Sequence, residues 1–293
     1  MPVAVVTDTT TYLPREIVAR AGIHEVSLYL NRRDATTREA LLNADLDAFY
    51  DELRSASEVP TTSQPSVGDF LEVYGPLLAA GCDIVSVHLG AAISGTSQTA
   101  RLAAAEATPP GDGRRIEVVD SESACGGLGL VVLAAAAAAN AGHGIQDVLA
   151  RALAARASAG IWFSIDTLEY LRRGGRIGRV QSWVGGALSV KPILSVDAEG
   201  IRPIERVRTE KRAFERMGEF AGQLRDDGRT AYCVQHIQAP EAAERLAQRC
   251  REIFGHDPVF VSEIGPVIGV HTGPGLLGIG GAAPDMLEPD PQS

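Results

Sequence analysis

Lysine is nearly missing from this chain: among 27 basic residues only Lys191 and Lys211 are not arginine, and 37 acidic residues leave a formal net charge of -10. That balance argues against a sequence-independent attraction to nucleic-acid phosphates or to an anionic membrane surface. The cations that are present are mostly arginines, whose planar fork of donors suits carboxylate or phosphate. Cysteine is scarce as well. Cys82, Cys125, Cys233 and Cys250 form no C-x-x-C pair, which predicts reduced thiols in a cytoplasmic protein. The histidines, His24, His88, His143, His236, His256 and His271, stand singly, so no metal site is expected. Neither a G-x-x-x-x-G-K-[ST] loop nor a G-x-G-x-x-G fingerprint occurs, because CGGLGLV at 125–131 has the wrong spacing. The start, MPVAVVTDTT, has no basic region followed by an apolar core. The longest apolar run, LGLVVLAAAAAAN at 128–140, is too short to cross a bilayer and predicts a buried, closely packed helix.

What is present alternates. VAVVTDTT is a β-branched run, and LPREIVARAG after it has helical spacing with Gly22 at the C-terminal cap. The pattern returns in DIVSVHLG before SGTSQTARLAAAEA, and in RRIEVVD before the Ala-rich helix. Repeated strand-helix units predict a mostly parallel sheet covered by helices, with ligands beyond the carboxyl ends of its strands, where Asp8, Thr9, Ser94, Asp120 and Ser121 fall. After residue 158 the style changes. IWFSID, VKPILSVDAEGIRPIERVRT and AYCVQHIQ read as strands, with D-A-E-G as a hairpin turn and two amphipathic helices between them. The expected fold is therefore α/β with an N-terminal α/β/α domain at 1–157, an α+β domain with a mostly antiparallel sheet at 158–281, and a disordered tail at 282–293.

Four segments carry more hydroxyls and glycines than structure alone requires: VTDTTTYLP at 6–14, PTTSQPS at 60–66, ISGTSQTA at 93–100 and DSESACGGLGL at 120–130. Each reads either as an ordinary N-cap or as part of a cradle for an oxyanion at a helix start. TLEYLRRGGRIG at 167–178 adds Arg172, Arg173 and Arg176 at a helix end expected at Gly174. In GPVIGVHTGPG, 265–275, glycines and prolines surround His271; the plain expectation is a turn leading into a strand, with His271 capping a carbonyl. Ser94, His271 and Asp8 make a nominal nucleophilic set, but ISGTS is not a G-x-S-x-G elbow.

These motifs, in this order, resemble the DegV family from residue 3 to about residue 280. The resemblance implies two domains that clasp a long-chain fatty acid such as palmitate, stearate or oleate, without a cofactor and without turnover. In bacteria such proteins resemble the fatty-acid-binding subunit of fatty acid kinase, which presents the bound carboxylate to a separate ATP-dependent kinase. Matched to the family's segments, Thr62, Ser94 and His271 would hold the carboxylate and Arg176 would support it. Asp8, Thr9, Ser63, Gly95, Thr96 and Thr272 would support the site. Arg202 and Arg208 would dock the kinase; alternatively they lie with Arg206 on one solvated side of an extended strand. A small-molecule hydrolase or transferase using Ser94 and His271 is the competing reading.

Overall fold

The computed structural model describes residues 1–42, 45–56, 58–108, 113–184 and 190–287. The first strand, β1 (Val3–Asp8), ends in a short 3-10 turn at Thr9–Thr11 and leads into helix α1 (Arg15–Ala21), which Gly22 closes in the left-handed conformation. β2 (Ile23–Val26), β6 (Asp83–His88) and β7 (Ile116–Asp120) complete an all-parallel sheet of order β2-β1-β6-β7. Between β2 and β6 run β3 (Tyr29–Asn31), β4 (Thr36–Arg38), α2 (Glu39–Leu42), α3 (Leu46–Ser55), β5 (Thr61–Ser63) and α4 (Val67–Ala79). The three short strands form a separate antiparallel sheet of order β4-β3-β5. Strand-helix alternation did not anticipate it, because strands of three residues carry almost no periodicity.

α5 (Thr96–Ala107) joins β6 to β7, and α6 (Cys125–Asn140) and α7 (Ile145–Ser158) follow. The second sheet, of order β10-β9-β8-β13-β11-β12, is built from β8 (Gly160–Ser164), β9 (Lys191–Asp197), β10 (Gly200–Val207), β11 (Ala231–His236), β12 (Phe260–Glu263) and β13 (Leu277–Ala282). All its pairings are antiparallel except β11 with β12. α8 (Glu169–Arg173), α9 (Glu210–Asp226), α10 (Pro240–Phe254) and α11 (Pro266–Thr272) connect these strands. α4 and α5 pack on one face of the parallel sheet through Phe70, Tyr74 and Ala100, and α9 and α10 cover the second sheet through Met217, Leu224 and Leu246.

α6 is the layer between the sheets. It packs on β1 and β6 on one side and on β11 and β13 on the other. A helix buried on two faces must be apolar nearly all round, and a run of Ala and Gly keeps it thin enough for both sheets to approach. The expected tail enters the fold in part: Ala282 ends β13, Pro284–Met286 form one turn, and the Ala283 amide donates to Ser158 Oγ at 3.2 Å; residues 288–293 lie outside the described residues. No described helix is long and apolar enough to cross a membrane.

Candidate functional site

A cavity of about 960 Å³, including its open mouth, lies beyond the carboxyl ends of β2, β6 and β7 and against the second sheet. Its inner wall is apolar, with Leu28, Leu89, Ile161, Phe163 and Ile264 among the lining residues, all nearly or fully buried. Its partly exposed end is polar and carries Thr62, Ser63, Gln64, Ser94, Arg176 and His271.

Each polar group reaches this end from a different element. Thr62 sits in the middle of β5 and Ser94 just before α5. Arg176 follows α8, tied by Nε to the Ile93 carbonyl at 3.3 Å and by Nη1 to the Gly174 carbonyl at 2.7 Å. His271 is on α11, not on a turn before a strand. GPVIGVHTGPG folds as one helix because Pro266 occupies the first helical position, where no N–H is needed, and Gly273 ends it with a φ of 77°.

Thr62 Oγ1 and His271 Nε2 are 2.8 Å apart. Nδ1 of the same ring is buried and bonds nothing among the described residues, because it presses on Gly174, where a Cβ would stand 2.1 Å away. Burial lowers the His271 pKa from 6.5 to about 4, helped by the Arg176 guanidinium. The imidazole is therefore neutral at physiological pH. In one tautomer Nε2–H donates to Thr62 or to a ligand, and in the other Nε2 accepts from the Thr62 hydroxyl.

Ser94 Oγ lies 2.8 Å from Thr96 Oγ1 and caps the Thr96 amide at 3.3 Å. Among the described residues no base bonds Ser94, and His271 Nε2 pairs with Thr62. Gly95 stands where a Cβ would meet the Gln64 side chain at 2.7 Å, and Thr272 lines the cavity from α11. Among the described residues no group of three or more His, Cys, Asp or Glu is placed to hold a metal.

Asp8 and Thr9 lie behind the site rather than in it. Asp8, fully buried, accepts from the Leu89 amide at 3.0 Å and the Thr10 hydroxyl at 2.5 Å, and lies 3.0 Å from His88 Nδ1. His88 Nε2 meets Ser86 Oγ at 2.6 Å. The Asp8 pairing thus goes to His88 and not to His271.

Thr9 leads to a residue that sequence reasoning missed. Glu39, fully buried at the start of α2, accepts from Thr9 Oγ1 at 2.5 Å, Tyr12 Oη at 2.7 Å and the Val267 amide at 2.8 Å. Tyr12 Oη accepts from the Ile268 amide at 3.1 Å, and Tyr50 Oη donates to the Ile264 carbonyl at 2.6 Å. Three side chains of the first half therefore hold the start of the helix that carries His271. Burial raises the Glu39 pKa from 4.5 to about 7, against the lowering effect of its three donors.

Of the two arginines expected to dock a kinase, Arg202 sits on β10 and Arg208 lies just past the end of that strand. Arg202 pairs with Asp197 at 3.3 Å, and the Arg206 guanidinium stacks on the Trp183 ring at 5.2 Å. A bulge between Pro203 and Glu205 shifts the register. Arg202 and Arg206 therefore face opposite sides of the strand, which corrects the expectation that 202, 206 and 208 share one side.

Fold and site together define a class: a mixed α/β protein in which helix and sheet close an apolar cavity whose exposed end offers three hydroxyls, a neutral imidazole and a guanidinium. The chain belongs to the DegV family, whose description, an uncharacterised protein of that family, matches residues 2–283. A DegV domain-containing protein of Streptomyces coelicolor is 40% identical over 279 residues, 94% of this chain and 97% of that protein. Protein DegV of Bacillus subtilis is 35% identical over 283 residues, 95% and 98% of the two chains. Among solved structures, a fatty-acid-binding DegV family protein from Thermus thermophilus superposes with a TM-score of 0.84 at 34% identity, covering 97% of this chain and all of that one. The fatty-acid-binding DegV of Bacillus subtilis gives 0.84 at 32% identity, covering 97% and 99%.

Proposed function

We propose that this protein binds a long-chain fatty acid in the cavity between its two halves, divided at about residue 157, and presents the carboxylate to a separate ATP-dependent kinase for conversion to an acyl phosphate. The observation that carries the reading is the pairing of Thr62 with a neutral His271 at the exposed end of an otherwise apolar cavity. In this reading Thr62, Ser94 and His271 donate to the carboxylate, Arg176 supplies opposite charge, and Ser63 and Thr272 line the approach. Hydrogen bonds to an ionised acceptor are stronger than neutral ones. The tail contributes more. About 14 methylenes of palmitate, at roughly 0.8 kcal/mol each, amount to about 11 kcal/mol of gross burial.

Catalysis belongs to the partner in this reading, since the chain lacks a recognised nucleotide motif and no base bonds Ser94 among the described residues. Arg202 and Arg208 are the proposed contacts with the kinase. Native mass spectrometry of the purified protein, and its titration with palmitate and oleate, test the ligand. Co-purified or saturably bound fatty acid at one per chain is expected, and no lipid with no measurable binding would overturn the reading. A fluorophosphonate probe should leave Ser94 unlabelled.

A further inference from the structure

Deep in the apolar part of the cavity one polar side chain is left half-used. Gln235, on β11 and 4% exposed, lines the cavity. Its amide nitrogen donates twice, to the Thr11 carbonyl at 3.2 Å and to Ser262 Oγ at 3.0 Å. The Thr11 carbonyl can only accept, which fixes the amide orientation and leaves Gln235 Oε1 as the free end. No donor reaches that oxygen among the described residues. It faces Gly126, where a Cβ would come within 3.0 Å of it and 2.4 Å of Cys233 Sγ.

The opposite side supplies donors. Ala124, Cys125 and Gly126, at the start of the 16-residue α6, line the same cavity. The N-cap, Ala124, has no side chain able to cap, and the Cys125 and Gly126 amides bond no backbone acceptor outside the helix among the described residues. First-turn amides have no partner within their own helix. The Cys125 and Cys233 thiols are too weak as donors to replace one, and burial pushes the pKa of both up, so they stay neutral.

We propose that Gln235 Oε1 and the first-turn amides of α6 form a second polar subsite, which recognises a hydroxyl carried on the hydrocarbon chain of the bound fatty acid. A hydroxyl has one hydrogen to give to Gln235 Oε1 and lone pairs to accept from the Cys125 or Gly126 amide. A carboxylate does not match, because it has no hydrogen for the amide oxygen. A plain methylene or a double bond leaves the acceptor unpaired. A buried acceptor without a partner is costly, and a site built around a hydroxyl discriminates against the analogue that lacks it. The inference rests on the fatty-acid reading and names which fatty acids the cavity prefers.

The test is a titration of delipidated protein with stearate and with a positional series of monohydroxylated stearates, in the wild type and in Gln235→Met. In a dry apolar tunnel every hydroxylated isomer binds more weakly than stearate. The subsite predicts that at least one isomer binds about tenfold more tightly than stearate, and that the ratio of the two affinities inverts in Gln235→Met. If stearate binds and every isomer is weaker, the subsite is refuted and the fatty-acid reading stands. An isomer preference that Gln235→Met leaves unchanged also refutes it. If neither stearate nor any isomer binds, both readings fail. The wild-type series decides the matter even if the variant does not fold.

Discussion

Replacing Glu39 with glutamine should stabilise the protein above pH 7 and have little effect near pH 4.5. Glu39 is fully buried among donors and has no cationic partner among its hydrogen bonds. Its pKa is raised from 4.5 to about 7, so the native state holds this proton more tightly than the unfolded chain does. Between those values the folded protein carries more protons, stability falls as pH rises, and the loss is complete above about pH 7. At roughly 1.4 kcal/mol per pH unit the cost is about 3 kcal/mol. Glutamine keeps an oxygen for Tyr12 and Val267 and can donate to Thr9 Oγ1, as the protonated carboxyl would, so the Thr9 hydroxyl gives up its acceptor in both neutral forms and the cost does not change with pH. His271 works in the opposite direction: its pKa is lowered to about 4, and stability is gained as pH rises toward 6.5. That contribution is common to both proteins and cancels in their difference. Urea denaturation of wild type and Glu39→Gln from pH 4.5 to 8 is the assay. The stability difference should grow by about 3 kcal/mol in favour of the variant. A difference that stays flat across this range refutes the reasoning.

Ser94→Ala, Thr62→Val and His271→Ala should each cost about tenfold or less in palmitate affinity, because the tail dominates, but should slow kinase-dependent acyl phosphate formation more strongly; both are read on the same protein samples. Gly174→Ala should mimic His271→Ala. Its φ of -74° suits alanine, yet the new Cβ would stand 2.1 Å from Nδ1 and force the ring off Thr62, and an unchanged rate of kinase-dependent acyl phosphate formation would sink the idea. Arg176→Gln should move the His271 pKa up toward its ordinary value by removing the nearby guanidinium, as NMR titration of the ring would show. Arg202→Glu with Arg208→Glu should abolish acyl phosphate formation with fatty-acid binding intact, and an unchanged rate rejects the docking surface.

Composition drew attention to the Gly-, Pro- and hydroxyl-rich segments that hold Thr62, Ser94, Arg176 and His271, but the four residues themselves were named through the resemblance to the DegV family; the structure places all four in the lining of one cavity. The parallel and antiparallel halves were legible from their different spacing of strands and helices. Glu39 was not. In TREALLN it looks like an ordinary acidic helix start, and the amide it accepts from lies 228 residues away. The Asp8 and His88 pair, 80 residues apart, was hidden for the same reason. Parity misplaced Arg202 relative to Arg206 because a bulge beginning at Pro203 inserts one residue; a proline inside a strand is the one local sign of it in IRPIERVRT. Gln235 reads as one polar residue in a buried strand, and its free oxygen becomes visible only once Thr11 and Ser262 are seen to take its amide hydrogens.

The central claim is that a fatty-acid carboxylate sits against Thr62 and His271 with its tail in the apolar cavity. Titrating delipidated protein with palmitate labelled with carbon-13 at the carboxyl, followed by carbon NMR, tests it most directly. The account predicts one saturable bound resonance at one ligand per chain, shifted in Thr62→Val and again in His271→Ala. Absence of a saturable bound resonance, or a resonance that neither substitution moves, would contradict it.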